Sequence, residues 1–343
     1  MPALPATMRA VGFSRCLPCD DPEALLDLTL PVPVPEPHDL LVEIRAVSVN
    51  PVDTKVRRGS PPPEGECRVL GWDAAGIVRA VGTEVRGFAV GDRVWHAGSI
   101  LRPGSDSEYQ RVDARIAGHM PASLSFAEAA ALPLTMLTAW ELLFDRLQVA
   151  RDGGAGQRLL IIGAAGGVGS ALIQLARRLT GLTVIATASR PETRAWVEAL
   201  GAHQVIDHRQ PLSRELARLG LDEVDLVASL TATDHHFPEI VASLRPQGRL
   251  ALIDDPEPLD IRLLKRKSLS LHWEFMFTRP VFATADMDRQ RDILEEVAAL
   301  VDAGVLRSTL TGHYGRIDAA GLRRAHALLE SGSALGKIVL EGF

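Results

Sequence analysis

The segment whose residue types most clearly imply chemistry is GAAGGVGS, Gly163 to Ser170, placed directly after the apolar run RLLIIG and opening the helical stretch GSALIQLARRL. Aligned with a dinucleotide-binding fingerprint, Ala164, Gly166 and Gly169 fall in the three glycine slots, with Gly167 and Val168 between the last two. Small residues let the backbone approach a pyrophosphate, and the helix start behind them offers unpaired N–H groups and a positive dipole end. Strand, turn and helix in this order are the setting the fingerprint requires. The next apolar run, TVIATA (183 to 188), ends in Ser189 and Arg190, with Arg194 one turn further on. An enzyme selective for NAD carries a carboxylate there for the ribose hydroxyls, whereas a guanidinium fork attracts a 2′-phosphate, so NADPH is the expected cofactor. The two arginines also fit the solvated face of an amphipathic helix. His208, in IDHR, is a third candidate for the phosphate, and taken alone it reads as a surface histidine.

These residues need a parallel sheet to position them. From Ser125 onward the pattern alternates helices with apolar strands: a helical stretch broken at Pro133, then RLLIIG, a helix at 167 to 180, TVIATA, a helix from Pro191 to Leu200, and a short strand at 204 to 206. DLVASL, RLALID and SLSLHWEF (268 to 275) continue it. That rhythm implies right-handed crossovers and a doubly wound α/β fold. Before residue 125 short β-rich runs (8 to 13, 39 to 50, 74 to 82 and 91 to 98) are separated by proline and glycine clusters, the pattern of a twisted, barrel-like β domain. The stretch LPVPVPEPHD (30 to 39) reads as an extended connector, because proline donates no ladder hydrogen bond. The helices and the terminal strand GKIVLEG after Ala285 are assigned back to that first domain. The expected boundaries are therefore 1–125 with 285–343 for one domain and 126–284 for the other.

A chain of 343 residues suits two domains, and 46% apolar with 23% charged residues excludes a disordered chain. A net charge of −6 gives phosphate-backbone binding no electrostatic basis, so nucleic acid is not an expected partner. No apolar run approaches the length of a membrane span. Three cysteines, Cys16, Cys19 and Cys67, argue against a disulfide framework, and MPALPATMRA reads as a short leader on a cytoplasmic protein. Cys16 and Cys19 have CxxC spacing but lack the second pair or histidine couplet of a zinc site, leaving an ordinary loop, a redox pair or adventitious metal. KRK (265 to 267) reads as a brief solvated charge run. SLSLHWEFMF (268 to 277) is an apolar edge that would be hazardous uncovered, and pairing across a twofold axis in a homodimer would bury it.

In sequence order, VSVNPVDTKVRRG (47 to 59), GWDAAGIVRAVG (71 to 82), GDRVW (91 to 95), EAAALPLTMLTAWELL (128 to 143), GAAGGVG (163 to 169), EALGAHQVIDHR (198 to 209) and GKIVL (336 to 340) resemble the medium-chain dehydrogenases and reductases. Within that family the chain is similar to the zinc-free quinone oxidoreductase branch and to a subgroup labelled zinc-type alcohol dehydrogenase-like. The resemblance implies a Rossmann coenzyme domain beside a GroES-like catalytic domain. The zinc-ligand positions of the family's alcohol dehydrogenases fall here on Asn50, Trp72 and Leu134, none of which ligates zinc.

Without a Lewis acid, the accessible reaction is hydride transfer from NADPH to an electron-poor quinone or α,β-unsaturated carbonyl, aided by donors aimed at the developing oxyanion. The resemblance sets NPVDTK beside the nicotinamide, which makes Asn50 and Lys55 the candidate donors and Asp53 the residue that orients them. Asn50 also suits a helix cap before Pro51. Thr138 matches a family threonine near the nicotinamide ribose, and Lys337 in GKIVL joins the cofactor-binding candidates. Trp72, Trp95 and His96 fit either the acceptor pocket or the core. Two alternatives remain: a zinc-dependent alcohol dehydrogenase with a displaced metal, and an NADPH-binding protein without catalysis.

Overall fold

In the computed structural model, which describes residues 4–343, the elements follow from where apolar runs are long enough to be buried and where proline and glycine interrupt them. The first three residues of the expected leader lie outside the described residues. Strands β1 (Thr7–Phe13), β2 (Leu26–Pro31) and β3 (Asp39–Ser48) lead to helix α1 (Pro51–Gly59). Next come β4 (Arg68–Val69), β5 (Ala74–Val81), β6 (Arg93–His96), β7 (Tyr109–Asp113) and β8 (Ala117–His119), followed by α2 (Phe126–Ala130) and α3 (Pro133–Trp140). The coenzyme-type region contains β9 (Arg158–Ile162), α4 (Gly167–Leu179), β10 (Thr183–Thr187), α5 (Pro191–Leu200), β11 (Gln204–Ile206), α6 (Leu212–Arg218), β12 (Val224–Ser229), α7 (Thr233–Ser243), β13 (Leu244–Leu252) and β14 (Ser270–Trp273). The chain ends with α8 (Thr278–Phe282), α9 (Arg289–Asp302), β15 (Leu310–His313), α10 (Ala319–Glu330) and β16 (Lys337–Glu341).

The chain divides into two compact units, one running up to Leu134 and resuming over Phe277–Phe343, the other Thr135–Met276. The second begins inside α3 and ends at Met276, within the expected 126–284 at both ends, and Leu134, just before it, donates its N–H to Asp73 within the first unit. In the first unit β15-β16-β3-β5-β6-β8 form a sheet with β7 on β3, and β2-β1-β4 form a smaller one. β16 runs antiparallel to β3 with Val339 opposite Ser48, which brings the terminal strand to the start of α1.

In the second unit the order is β11-β10-β9-β12-β13-β14, with every pairing parallel. The direction of winding reverses between β9 and β12, the switch point at whose carboxyl ends ligands bind in such sheets. Leu160, Ile162, Ile185, Val227 and Leu250 are buried in its core, as expected for strands covered on both faces. Phe126–Arg146 is apolar enough to cross a bilayer by length and composition, yet 89% of that window is buried inside the protein, and its last turn, Glu141–Arg146, is π-helical. At the sheet edge β14 leaves Trp273 and Phe275 half exposed.

Candidate functional site

In the second unit, the loop after β9 turns through Gly163 and starts α4 at Gly166, whose helix has no side-chain cap. Ala165 to Val168 are partly exposed. A Cβ added at Gly169 would lie 2.4 Å from the Ala164 carbonyl oxygen, so the third glycine lets helix pack on strand. A Cβ at Gly166 meets only the Gly163 carbonyl oxygen, at 3.5 Å. Among the described residues no other heavy atom beyond its chain neighbours and its own helix's backbone comes within 4 Å of that position. An anion's oxygens fit there, facing the uncapped N–H groups of α4.

At the end of β10, Ser189 and Arg190 are half-buried and Arg190 pairs with Glu192 at 3.0 Å. Arg194 lies back on the strand-end carbonyls of Ala188 (3.4 Å) and Val205 (3.3 Å). Its guanidinium braces the ends of β10 and β11. Arg209, which the sequence reading passed over, donates to the Ser189 carbonyl at 3.2 Å while bound to Asp207. His208 is half-buried beside them, and Thr138 is buried on α3.

The first unit gathers a different set. β3 ends at Ser48, and Asn50 then caps α1, with Pro51 in the first helical position, where its missing N–H costs nothing. The cap runs in reverse, since Asp53 accepts the Asn50 N–H at 2.6 Å. The Asn50 side chain points away from the helix. Its amide group donates to the Ser48 carbonyl (3.3 Å) and the Asp73 carboxylate (3.1 Å), and its oxygen accepts from Lys337. Lys337 also donates to the Val49 carbonyl at 2.8 Å and sits 3.0 Å from Asp73, whose other oxygen accepts the Leu134 N–H at 3.0 Å.

Two candidate groups are therefore already engaged within the protein. Both N–H donors of Asn50 and all three of Lys337 have acceptors inside the protein, so the structure uses them to hold one another. Lys55, the other proposed donor, is exposed on α1. Asp53 and Asn50 are brought together as expected. The sequence reading missed Asp73, although a carboxylate inside the apolar run LGWDAAGIV demands a buried partner and was a usable signal.

Electrostatics follow from the burial of three carboxyls, two of which feel the Lys337 ammonium. Burial pushes Asp53 up to about 7 against the pull of the Asn50 and Gly71 amides and Lys337. Asp73 is raised by burial despite Lys337, and Asp106 is raised well above the usual range by burial and then by Asp53. Gly71 makes the close approach possible. Its φ is +102°, it donates to Asp53 at 3.1 Å, and a Cβ there would stand 2.6 Å from the Ser105 hydroxyl and 2.7 Å from Asp106. His96 is fully buried and neutral, its pKa lowered by burial to about 4. Trp72 is core, donating to the Ser99 carbonyl at 3.1 Å and meeting Phe277 edge-on at 6.3 Å; Trp95 is also fully buried. Cys19 is half-buried, its thiol raised first by a hydrogen bond to Glu330. Lys267 of the KRK run is anchored on the carbonyls of Ala242 and Leu244 and on Glu223, so that run is not wholly solvated.

Residues 36–140 match the alcohol dehydrogenase GroES-like domain and 200–340 the zinc-binding dehydrogenase domain. A zinc-type alcohol dehydrogenase-like protein of Staphylococcus epidermidis is 37% identical over 336 residues, 97% of this chain and 99% of that one. The chain belongs to the medium-chain dehydrogenase/reductase family. A family member of known structure from Rhizobium etli, described as a candidate zinc-dependent alcohol dehydrogenase, is 56% identical with a TM-score of 0.94 over 98% of each chain. Quinone oxidoreductase of Escherichia coli, solved with NADPH, is 26% identical with a TM-score of 0.81, covering 97% of this chain and 99% of that one.

The family's two groups, zinc and a nicotinamide dinucleotide, meet different receptions in this member. Among the described residues no group of three or more His, Cys, Asp or Glu side chains is arranged to hold a metal. At the family's zinc positions stand Asn50, with its amide engaged, the indole of Trp72 and the aliphatic Leu134. A cation is already present there in the form of the Lys337 ammonium, paired with Asp73. That donor set does not fit zinc. The open cradle at Gly166 and the uncapped α4 do fit a pyrophosphate.

Proposed function

We propose that this oxidoreductase transfers a hydride from NADPH to a quinone or an α,β-unsaturated carbonyl without a catalytic metal. The observation that carries the proposal is the Lys337–Asp73–Asn50 network, which puts a fixed ammonium and neutral amide where a Lewis acid would need thiolate, imidazole or carboxylate. An alcohol has no comparable means of reaching the alkoxide, whereas an activated acceptor already draws electrons toward its oxygen. NADPH, when bound, supplies the hydride. This chain's residues would hold it through the α4 amides behind Gly166, Gly167 and Val168 and favour its 2′-phosphate through Ser189 and Arg190, with Arg194 bracing the strand ends.

The test is NADPH oxidation against a panel of quinones, enones and simple aldehydes, on protein dialysed against chelator and assayed for metal. Turnover on quinones or enones with well under one zinc per chain is expected. Activity confined to alcohols or aldehydes and proportional to bound zinc overturns the proposal, and an enzyme inert to the whole panel favours a binding protein. A homodimer paired through β14 belongs to the same reading, supported by the exposed Trp273 and Phe275 at the sheet edge.

A further inference from the structure

The carboxyl ends of the second unit's strands hold an aromatic cluster. His208 follows β11, and His235 and His236 lie in the first turn of α7, which follows β12. The His208 and His236 rings meet edge-on with centroids 6.3 Å apart, and His235 stands 4.8 Å from His236. His236 is buried, and His208 Nδ1 is a buried atom with no hydrogen-bond partner among the described residues. A polar atom left so is costly unless a ligand completes it. The neighbouring strand end carries Ser189 and Arg190, and the loop between them is tied by Arg209 to the Ser189 carbonyl.

We propose that His208, backed by His236, forms one wall of the pocket for the 2′-phosphorylated adenosine and takes up a proton as that phosphate binds. The proposal rests on the NADPH reading above. His208 faces Asp207, Arg209 and Arg190, while His236 faces His235, Asp234 and Glu239. Glu215 is fixed on the Asp207 N–H, and Glu239 on Ser213. In the free protein burial first, then Arg209 and Arg190, hold His208 below its ordinary value against Asp207, so it is neutral at neutral pH. His236 is lowered in the same way by burial and its two histidine neighbours.

A bound dianion reverses this balance for the nearer ring, His208, and raises its pKa. The sign is diagnostic. A phosphate monoester with a second pKa near 6, gripped only by arginines, is pushed further toward its dianion and releases protons, whereas a neutral histidine that becomes imidazolium absorbs them. NADPH affinity should thus rise as pH falls toward the free-state value of His208 and decline as pH climbs through the bound-state value. NADH, lacking the 2′-phosphate, carries no such dependence at this position.

Titration calorimetry of the full chain at about pH 7.5, in two buffers of different ionisation enthalpy, reads the exchanged protons directly. Net uptake with NADPH and none with NADH is expected, and NADPH affinity should fall about fivefold between pH 6.5 and 8. His208→Asn should abolish the uptake and cut the NADPH-to-NADH affinity ratio by about fivefold, and His236→Phe should diminish the uptake while keeping a ring in place. Proton release or no exchange, with NADPH still bound more tightly than NADH, overturns the histidine inference and leaves the cofactor reading standing. NADPH bound no more tightly than NADH overturns both. The calorimetry on the unaltered protein decides even where a variant fails to fold.

Discussion

Around Gly166 the start of α4 has no capping side chain, and an added Cβ would make only an ordinary contact, with the Gly163 carbonyl oxygen. Around Asn50 every donor of the Asn50 amide and the Lys337 ammonium already has an acceptor in the protein. The first region is chemically incomplete without a ligand, and the second is complete by itself. A residue type that looks catalytic in a sequence is thus informative only together with its unmet hydrogen-bonding capacity. Glycine loops keep theirs because they have no side chains to satisfy it, while buried amides and ammoniums rarely can.

The comparison breaks most sharply at the two glycines. Gly166→Leu should fold with nearly unaltered thermal stability yet lose NADPH affinity by more than about a hundredfold, since the side chain occupies the pyrophosphate's space. Gly169→Leu should instead damage the fold, because its Cβ lies 2.4 Å from the Ala164 carbonyl oxygen. Melting curves with and without NADPH separate the cases. Equal destabilisation by both would mean that Gly166 serves packing rather than a ligand.

In the completed region the largest effect belongs to Lys337→Met, which leaves Asp73 buried without its cation and should cost about 3–5 kcal/mol. Adding Asp73→Asn should restore part of the loss, giving a coupling energy readable in denaturant titrations. A single variant within about 1 kcal/mol of the parent would show the pair to be incidental. Asn50→Ala is a smaller perturbation. It removes one acceptor from Lys337 and one donor from Asp73, and single-turnover hydride transfer at saturating NADPH should slow by about 10²-fold or less. Complete inactivity with NADPH still bound would restore Asn50 as a group acting on the acceptor itself.

How far this contrast was legible in the sequence depends on chain separation. The strand-turn-helix around Gly163–Ser170 is local, so spacing alone locates it, and the β9 to β12 rhythm announces the parallel sheet. Asn50 was recognisable as a helix cap and a candidate donor. Its actual partners lie 23 residues away, at Asp73, and 287 away, at Lys337, joined only when β16 pairs with β3. Asp106 sits in GSDSEY, which has the composition of a surface loop and gives no sign of burial. The contact between His236 on α7 and His208 after β11 joins two strand ends 28 residues apart and has no local signal in the sequence.

The smallest expected effect concerns that unannounced carboxyl. Asp106 is buried next to Asp53, and both hold their protons to higher pH than they would in an unfolded chain, where a carboxyl titrates near 3.9. Between that value and the folded value, about 7 for Asp53 and well above the ordinary range for Asp106, the folded protein binds more protons than the unfolded one. Their contribution is accordingly present below about pH 4 and is lost as pH rises through the folded pKa. Asp106→Asn keeps the shape and removes the titration, together with the repulsion from Asp53 that helps raise it. The variant should match the parent at about pH 4–5 and exceed it at pH 8 by on the order of 1 kcal/mol, with the gap widening as pH rises. Thermal unfolding over that range measures it. A variant destabilised equally at every pH would mean that Asp106 contributes through a hydrogen bond its carboxylate makes, and that the charge in this region is balanced without a held proton.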